Sequence, residues 1–78
     1  AVWFANSAGK IWQVPNEYCN NLPGWINDKA VKYEIEHPYI CNFSEHVNCS
    51  GATQQVGPTP WKKVPFAGIS SVQCFKKA

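Results

Sequence analysis

The sequence predicts an all-β domain held together by disulfide bonds, and three observations support this fold class. Six Pro and five Gly are spread along the 78 residues, so no stretch is long enough for an uninterrupted helix. Short runs of alternating apolar and polar residues recur between turn-forming segments, as in a sandwich or a barrel. Four cysteines with wide, irregular spacing and no CxxC pair favour two disulfides over a zinc site.

The alternating runs predict the strands in chain order. Residues 1–5 and 10–14 flank the turn-forming segment 6–9, and this arrangement predicts a hairpin. Residues 31–36 alternate cleanly between apolar and polar types, as a strand with one solvated face does. The same alternation occurs in residues 40–43 and 69–75, which we interpret as two further strands.

Size and cysteine content predict a secreted protein with one domain over residues 1–78. A domain this small buries only about 60% of its unfolded surface, so covalent staples are expected. Disulfides persist outside the reducing cytosol. The sequence contains no Met, even at position 1, which indicates a processed start such as a removed signal peptide. No apolar run has the length of a transmembrane segment, and the sequons at Asn42 and Asn48 are compatible with secretion.

The charge pattern narrows the class of partner. The net charge is +2, from seven Lys against five acidic residues, and no Arg occurs. Nucleic-acid binding proteins usually carry dense Lys and Arg on one face, so we expect no nucleic-acid partner. The two Lys doublets, at 62–63 and 76–77, are interpreted as solvated residues that also suit an anionic surface. The predicted partner is a target-cell surface component or a host protein, and the chain is predicted to be a monomer.

The sequence offers no convincing catalytic residues. His37 and His46 are the only histidines, and a Glu–His pair would be needed for acid–base chemistry. Ribonuclease-type chemistry also calls for a strong cation, most often Arg, which is missing here. No GxSxG, HExxH or Gly-rich phosphate loop occurs, and paired cysteines leave no thiol nucleophile. We therefore predict a protein that is not an enzyme and requires no cofactor.

Aromatic residues make up 14% of the chain, which is more than so small a core can bury. Trp3, Phe43 and Trp25 are assigned to the interior. The segment 57–63 is interpreted as a loop that presents a Pro-flanked Trp beside two Lys, as rigid binding anchors do. The alternative is that this Trp covers the end of the sandwich. The predicted binding surface consists of Trp61, Lys62, Lys63, Tyr18 and Trp12.

The chain also contains a weak internal repeat. Residues 9–14, GKIWQV, return 42 positions later as residues 51–56, GATQQV. Both segments follow a predicted hairpin turn, so two units of about 40 residues would pack their apolar faces into one core.

Three segments resemble the βγ-crystallin family. Residues 41–51, CNFSEHVNCSG, resemble its folded-hairpin signature of two aromatics and a Gly, with Gly51 at a positive-φ corner and Ser44 and Cys49 in the aromatic positions. Residues 68–72, GISSV, match the closing strand, whose Ser braces the hairpin. Residues 25–31, WINDKAV, resemble the Asn-Asp-x-x-Ser-Ser segment of the calcium-binding microbial members.

The resemblance implies two interlocked Greek-key motifs, at about residues 1–38 and 39–78, in a two-sheet sandwich. Each motif lends its third strand to the other's sheet. Strand 40–45 then lies beside strand 69–75, which implies a buried Cys41–Cys74 disulfide and leaves Cys19 for Cys49. From the residues alone, the pairings 19–74 with 41–49 and 19–41 with 49–74 remain open.

The resemblance also implies a calcium site of low affinity. Asp28 and Ser70 would supply oxygen ligands, together with backbone carbonyls near Asn27 and Glu45. The alternative is that Asn27 and Asp28 only form a turn, as this dipeptide often does. The second site of the family is missing, because Phe66-Ala67 replaces the acidic pair and Val31 replaces the Ser.

The family's secreted single-domain members suggest the function. They include killer toxins, antifungal proteins and protease inhibitors, and related folds occur among pathogen effectors. The resemblance therefore implies a toxin, antifungal or effector protein that binds its target without catalysis. The alternatives are an extracellular calcium-binding or structural module, and a protease inhibitor with a reactive loop at residues 57–60.

Overall fold

The computed structural model describes residues 2–77, which form two four-stranded antiparallel sheets. A short 3₁₀ segment, Val47–Cys49, is the helical element among these residues. The predicted all-β fold with two disulfides is confirmed. The strands are β1 (Val2–Asn6), β2 (Ile11–Gln13), β3 (Cys19–Asn21), β4 (Ala30–Ile35), β5 (Tyr39–His46), β6 (Ser50–Val56), β7 (Thr59–Lys63) and β8 (Ser71–Lys76).

Each sheet combines three strands from one half of the chain with one strand from the other half. The first sheet has the strand order β2-β1-β4-β7, and the second has the order β3-β8-β5-β6. Strands β3 and β7 are therefore the ones that cross to the opposite sheet. The halves meet between the end of β4 at Ile35 and the start of β5 at Tyr39.

The predicted hairpin is present, with Phe4 of β1 opposite Trp12 of β2; Ala1, its predicted first residue, lies outside the described residues. The last strand begins at Ser71, two residues later than predicted. The carbonyl of Ile69 accepts the N–H of Asp28, at 3.1 Å, in the turn before β4. The carbonyl of Ser70 accepts the N–H of Leu22, at 3.0 Å, and so continues the register of β3 on β8. Ile69 and Ser70 are nevertheless buried.

The prediction of a loop over residues 57–63 holds only for residues 57 and 58 and is wrong for the rest. Residues 59–63 form strand β7, which pairs with β4 at the edge of the first sheet. A proline lacks the N–H that a central strand needs, but an edge strand can hold Pro60 because one side of its backbone is unpaired.

The core lies between the two sheets and is centred on aromatic side chains. The Phe43 ring lies 5.0 Å from the Phe4 ring and 5.0 Å, edge to face, from the Tyr33 ring. Such pairs contribute about 0.5–1.5 kcal/mol each beyond the burial of apolar area. Burial raises the pKa of the Tyr33 hydroxyl. Of the aromatics assigned to the interior, Phe43 is fully buried, whereas Trp3 and Trp25 are half-buried.

Two disulfides join Cys41 to Cys74 and Cys19 to Cys49, which are the pairs that the resemblance implies. Cys41 of β5 lies directly opposite Cys74 of β8, and both are buried. The second disulfide ties β3 to the 3₁₀ segment. The bridges span 30 and 33 positions, and each stabilises the fold by about 3–4 kcal/mol in the chain-entropy estimate.

Candidate functional site

A cationic, partly apolar surface lies at the β7 edge of the first sheet. Trp61 has 41% of its surface exposed there. A shallow cavity of about 360 Å³ adjoins it. We call this region the Trp61 surface, and it is lined by Val31, Lys32, Trp61, Lys62 and Lys63.

Two irregularities in strand pairing shape the Trp61 surface. From Tyr33 to Ile35 the chain of β4 advances two residues, whereas its partner β7 advances three, from Lys62 back to Thr59. A second register shift, between β1 and β4, leaves Val31 without a partner on β1. Bulges of this kind re-aim side chains at sheet edges, which accounts for the exposure of Val31 beside Trp61.

The electrostatics of the Trp61 surface favour an anionic partner. Lys32 of β4 lies directly opposite Lys63 of β7, and like charges in this position repel each other. Lys62 also lines the cavity, but it lies opposite the buried Tyr33 and therefore belongs to the other face of the sheet. Within residues 2–77 no carboxylate lines the cavity. An anion placed between Lys32 and Lys63 would relieve this repulsion, while Trp61 and Val31 supply apolar contact area.

The structure does not gather the five predicted surface residues into one place. Trp61, Lys62 and Lys63 are neighbours on β7, but Trp12 lies on β2 at the opposite edge of the same sheet. The Trp12 ring stacks on Phe4 at 6.1 Å between centroids and is half-buried. Tyr18 is 76% exposed and lines a different cavity, of about 580 Å³, together with Tyr39.

Asp28 and Ser70 come together, as the sequence predicts. The Ser70 hydroxyl lies 3.1 Å from Oδ1 of Asp28 and 3.0 Å from Oδ1 of Asn27, and it donates to these oxygens. Ser70 is buried and its N–H donates to the carbonyl of Ser44, next to Glu45, at 3.0 Å. Asp28 is exposed and adopts φ of 59°, a conformation that Asp and Asn tolerate better than other residues.

The donor chemistry of this cluster fits a weak calcium site. Its side chains offer one carboxylate, one amide oxygen and one hydroxyl, all of them hard oxygen ligands. No group of three or more His, Cys, Asp or Glu residues in the described part of the chain is arranged to hold a metal ion. Val31, Phe66 and Ala67 line one cavity of about 390 Å³.

Ser71 braces the hairpin between β5 and β6, in agreement with the expected role of a Ser in the closing strand. Its buried hydroxyl donates to the carbonyl of His46 and accepts the N–H of Cys49 at 2.8 Å. Gly51, at the start of β6, has φ of +79°, the positive value expected at the hairpin corner.

The structure assigns His46 a packing role that the sequence analysis missed. Its imidazole covers Gly51 so closely that a Cβ there would overlap the ring. The hairpin signature, which includes aromatic rings near its Gly, could have indicated a ring over Gly51. We assigned its aromatic positions to Ser44 and Cys49 and did not consider His46. His37 precedes β5 and His46 is its last residue, so the two are more than about 20 Å apart along the extended strand. They therefore cannot act together on one substrate atom.

Comparison with protein-family models, with curated proteins and with solved structures finds no match to this chain. Among residues 2–77, no helix has the length and apolar character that a membrane crossing requires.

Proposed function

We propose that this chain is a secreted, single-domain, βγ-crystallin-like protein. Its strand order supports the proposal, because each sheet takes its fourth strand from the other half of the chain, as in interlocked Greek keys. The positive φ of Gly51 and the bracing hydroxyl of Ser71 support it as well. Two disulfides with no free cysteine among the described residues favour an oxidising compartment.

We further propose that the protein acts as a toxin, antifungal or effector protein that binds a target cell or a host molecule without catalysis. The observation that carries this proposal is the Trp61 surface. A half-exposed Trp on an ordered strand loses little conformational entropy on binding, and Trp is the side chain most enriched among binding hot spots.

The chemistry of the Trp61 surface defines the kind of target. The opposed Lys32 and Lys63, without a lining carboxylate among the described residues, suit an anionic group, and the adjoining Trp61 and Val31 suit an apolar or ring-shaped one. An anionic component of a cell surface combines both properties. The absence of Arg from the sequence argues against a nucleic-acid target, for which bidentate contacts to bases and phosphates are usual.

The test is a cell-binding and growth assay with purified protein on fungal and host cells. Trp61→Ala should weaken binding by about thirtyfold or more, the loss expected for a true anchor. Tyr18→Ala is the matched control, because Tyr18 is an exposed aromatic outside the Trp61 surface. If the parent binds neither cell type, or if Tyr18→Ala is impaired and Trp61→Ala is not, the proposal fails.

A calcium-binding module is the second candidate function, and the Asp28–Ser70 contact favours it. Asn27, Asp28 and Ser70 would hold the ion, and bound calcium would cross-link the two halves of the chain. The protease-inhibitor alternative has less support. An inhibitory loop must reach into a protease cleft, but only Gly57 and Pro58 separate β6 from β7.

A further inference from the structure

The edges of the two sheets differ in how well they are protected from pairing with another chain. Within residues 2–77 the edge strands are β2, β7, β3 and β6. Strands β2 and β3 have three residues each, and β7 carries Pro60 and two Lys. Short length, proline and lysine are the usual means by which proteins prevent edge-to-edge association.

Strand β6 lacks these three features, and its one irregularity is a register shift against β5 between Ser50 and Thr53. It extends over seven residues, Ser50–Val56, and contains no charged residue and no Pro. Its first six residues are exposed, so no other part of the described chain covers this edge. A long, uncharged and uncovered edge strand is a template for a further strand.

The backbone of β6 presents its hydrogen-bonding groups outward at Thr53. The carbonyl of Ser44 on β5 accepts the N–H of Ser70, so Ser44 directs its backbone toward β8. Thr53 is the partner of Ser44 on β6. In an antiparallel pair, the backbone N–H and C=O groups of two opposed residues either all point toward the partner strand or all point away from it. Thr53 therefore directs its own N–H and C=O to the open edge.

A groove beside this edge has room for side chains of an added strand. It has a volume of about 240 Å³ and is lined by Glu45, Ala52, Thr53, Gln54 and Phe66. Gln54 lies opposite Phe43, and directly opposed residues share a face of the sheet, so Gln54 points to the same face as the core. The small side chain of Ala52, on that same face, leaves space beside Gln54.

We propose that the added strand is β6 of a second copy of this chain, paired antiparallel about a two-fold axis at Thr53. This register places Gln54 opposite Ala52 of the second copy, so that a long amide side chain meets a small residue in each groove. No like charges meet, because β6 carries none. Strands β3-β8-β5-β6 of the two copies then form one continuous eight-stranded sheet.

The dimer is weak and replaces the expected monomer only at high concentration. Two strands of seven residues bury less than the roughly 1,200 Å² at which stable interfaces begin. The proposal is independent of the Trp61 surface, because β7 and β6 belong to different sheets.

Sedimentation velocity from low micromolar to millimolar concentration tests this proposal. The parent should show a reversible monomer–dimer equilibrium. Thr53→Lys and Thr53→Glu each place two like charges opposite each other at the two-fold axis, and each should weaken association by about fivefold or more. Thr53→Val is the matched control, because it also loses the 3.0 Å contact with the Ser44 hydroxyl but keeps an uncharged strand. It should dimerise as the parent does.

An equal mixture of the Lys and Glu variants distinguishes repulsion from misfolding. Opposite charges then meet at the axis, so the mixture should associate more strongly than either variant alone. A parent that stays monomeric at millimolar concentration overturns the proposal. So does a Thr53→Lys variant that associates as strongly as the parent, or a mixture that fails to associate.

Discussion

The Ser70 hydroxyl lies 3.1 Å from the Asp28 carboxylate, although 42 positions separate the two residues in sequence. Asp28 belongs to the turn that precedes β4, and the buried Ser70 to the loop that precedes β8. The contact therefore links the two halves of the chain at a point where neither half contributes a strand. A metal ion bound by the oxygen atoms of Asn27, Asp28 and Ser70 would therefore stabilise the whole domain.

Calcium should raise the melting temperature of the parent protein through this cluster. A ligand that binds only the folded form stabilises it by mass action, so millimolar calcium suffices for a weak site. Asp28→Asn should abolish the calcium-dependent shift, since it removes the carboxylate but keeps an oxygen that can accept the Ser70 hydrogen bond. Asn also tolerates the positive φ of 59° at this position. Identical melting curves of the parent in EDTA and in excess calcium would exclude the metal site.

Binding activity should reside on the Trp61 surface and survive the loss of both imidazoles. The double variant His37→Ala/His46→Phe keeps a ring over Gly51 but removes every imidazole proton. It should match the parent in the cell-binding and growth assays, whereas Trp61→Ala should lose about thirtyfold in affinity. Circular dichroism of each variant controls for folding. Essential histidines together with a dispensable Trp61 would favour an enzyme.

Ser71→Ala should destabilise the fold by about 1–3 kcal/mol in urea unfolding. The variant removes the buried hydroxyl of Ser71 and leaves the partly buried N–H of Cys49 and carbonyl of His46 without their shared partner. Ser50→Ala is the control, because Ser50 is exposed and its hydroxyl donates to the carbonyl of Val47 nearby. It should cost less than about 0.5 kcal/mol. Equal costs for the two variants would mean that Ser71 does not brace the hairpin.

Removal of the Cys41–Cys74 bridge should cost more stability than removal of the Cys19–Cys49 bridge. The two bridges span 33 and 30 positions, so their loop-closure contributions are nearly equal, at about 3–4 kcal/mol each. Cys41 and Cys74 are also fully buried, and Cys41→Ala/Cys74→Ala adds a cavity between the sheets. Urea unfolding of the two double variants measures the difference. Mass mapping under non-reducing conditions should find these two pairs and no free thiol.

Local sequence pattern was sufficient to predict β1, β4 and β5, because a strand with one buried face repeats its polarity every second residue. Phe4, Tyr33 and Phe43 occupy positions on the buried face of their strands in that alternation. The same pattern failed for β7. Pro60 and two lysines are typical of a loop, and only the edge position in the first sheet makes them compatible with a strand.

The relative positions of the exposed aromatics depend on sheet order, which the local pattern does not encode. Trp12 and Trp61 lie at opposite edges of one sheet, and Tyr18 lines a separate cavity. The residues that we predicted to form a single binding surface therefore lie in separate places. The aromatic content and the lysine doublet were visible in the sequence. The cavity lined by Trp61, Val31 and Lys32 forms only when β7 crosses to the first sheet and pairs with β4. Its side chains are about 30 positions apart in the sequence, so strand pairing and not chain proximity brings them together.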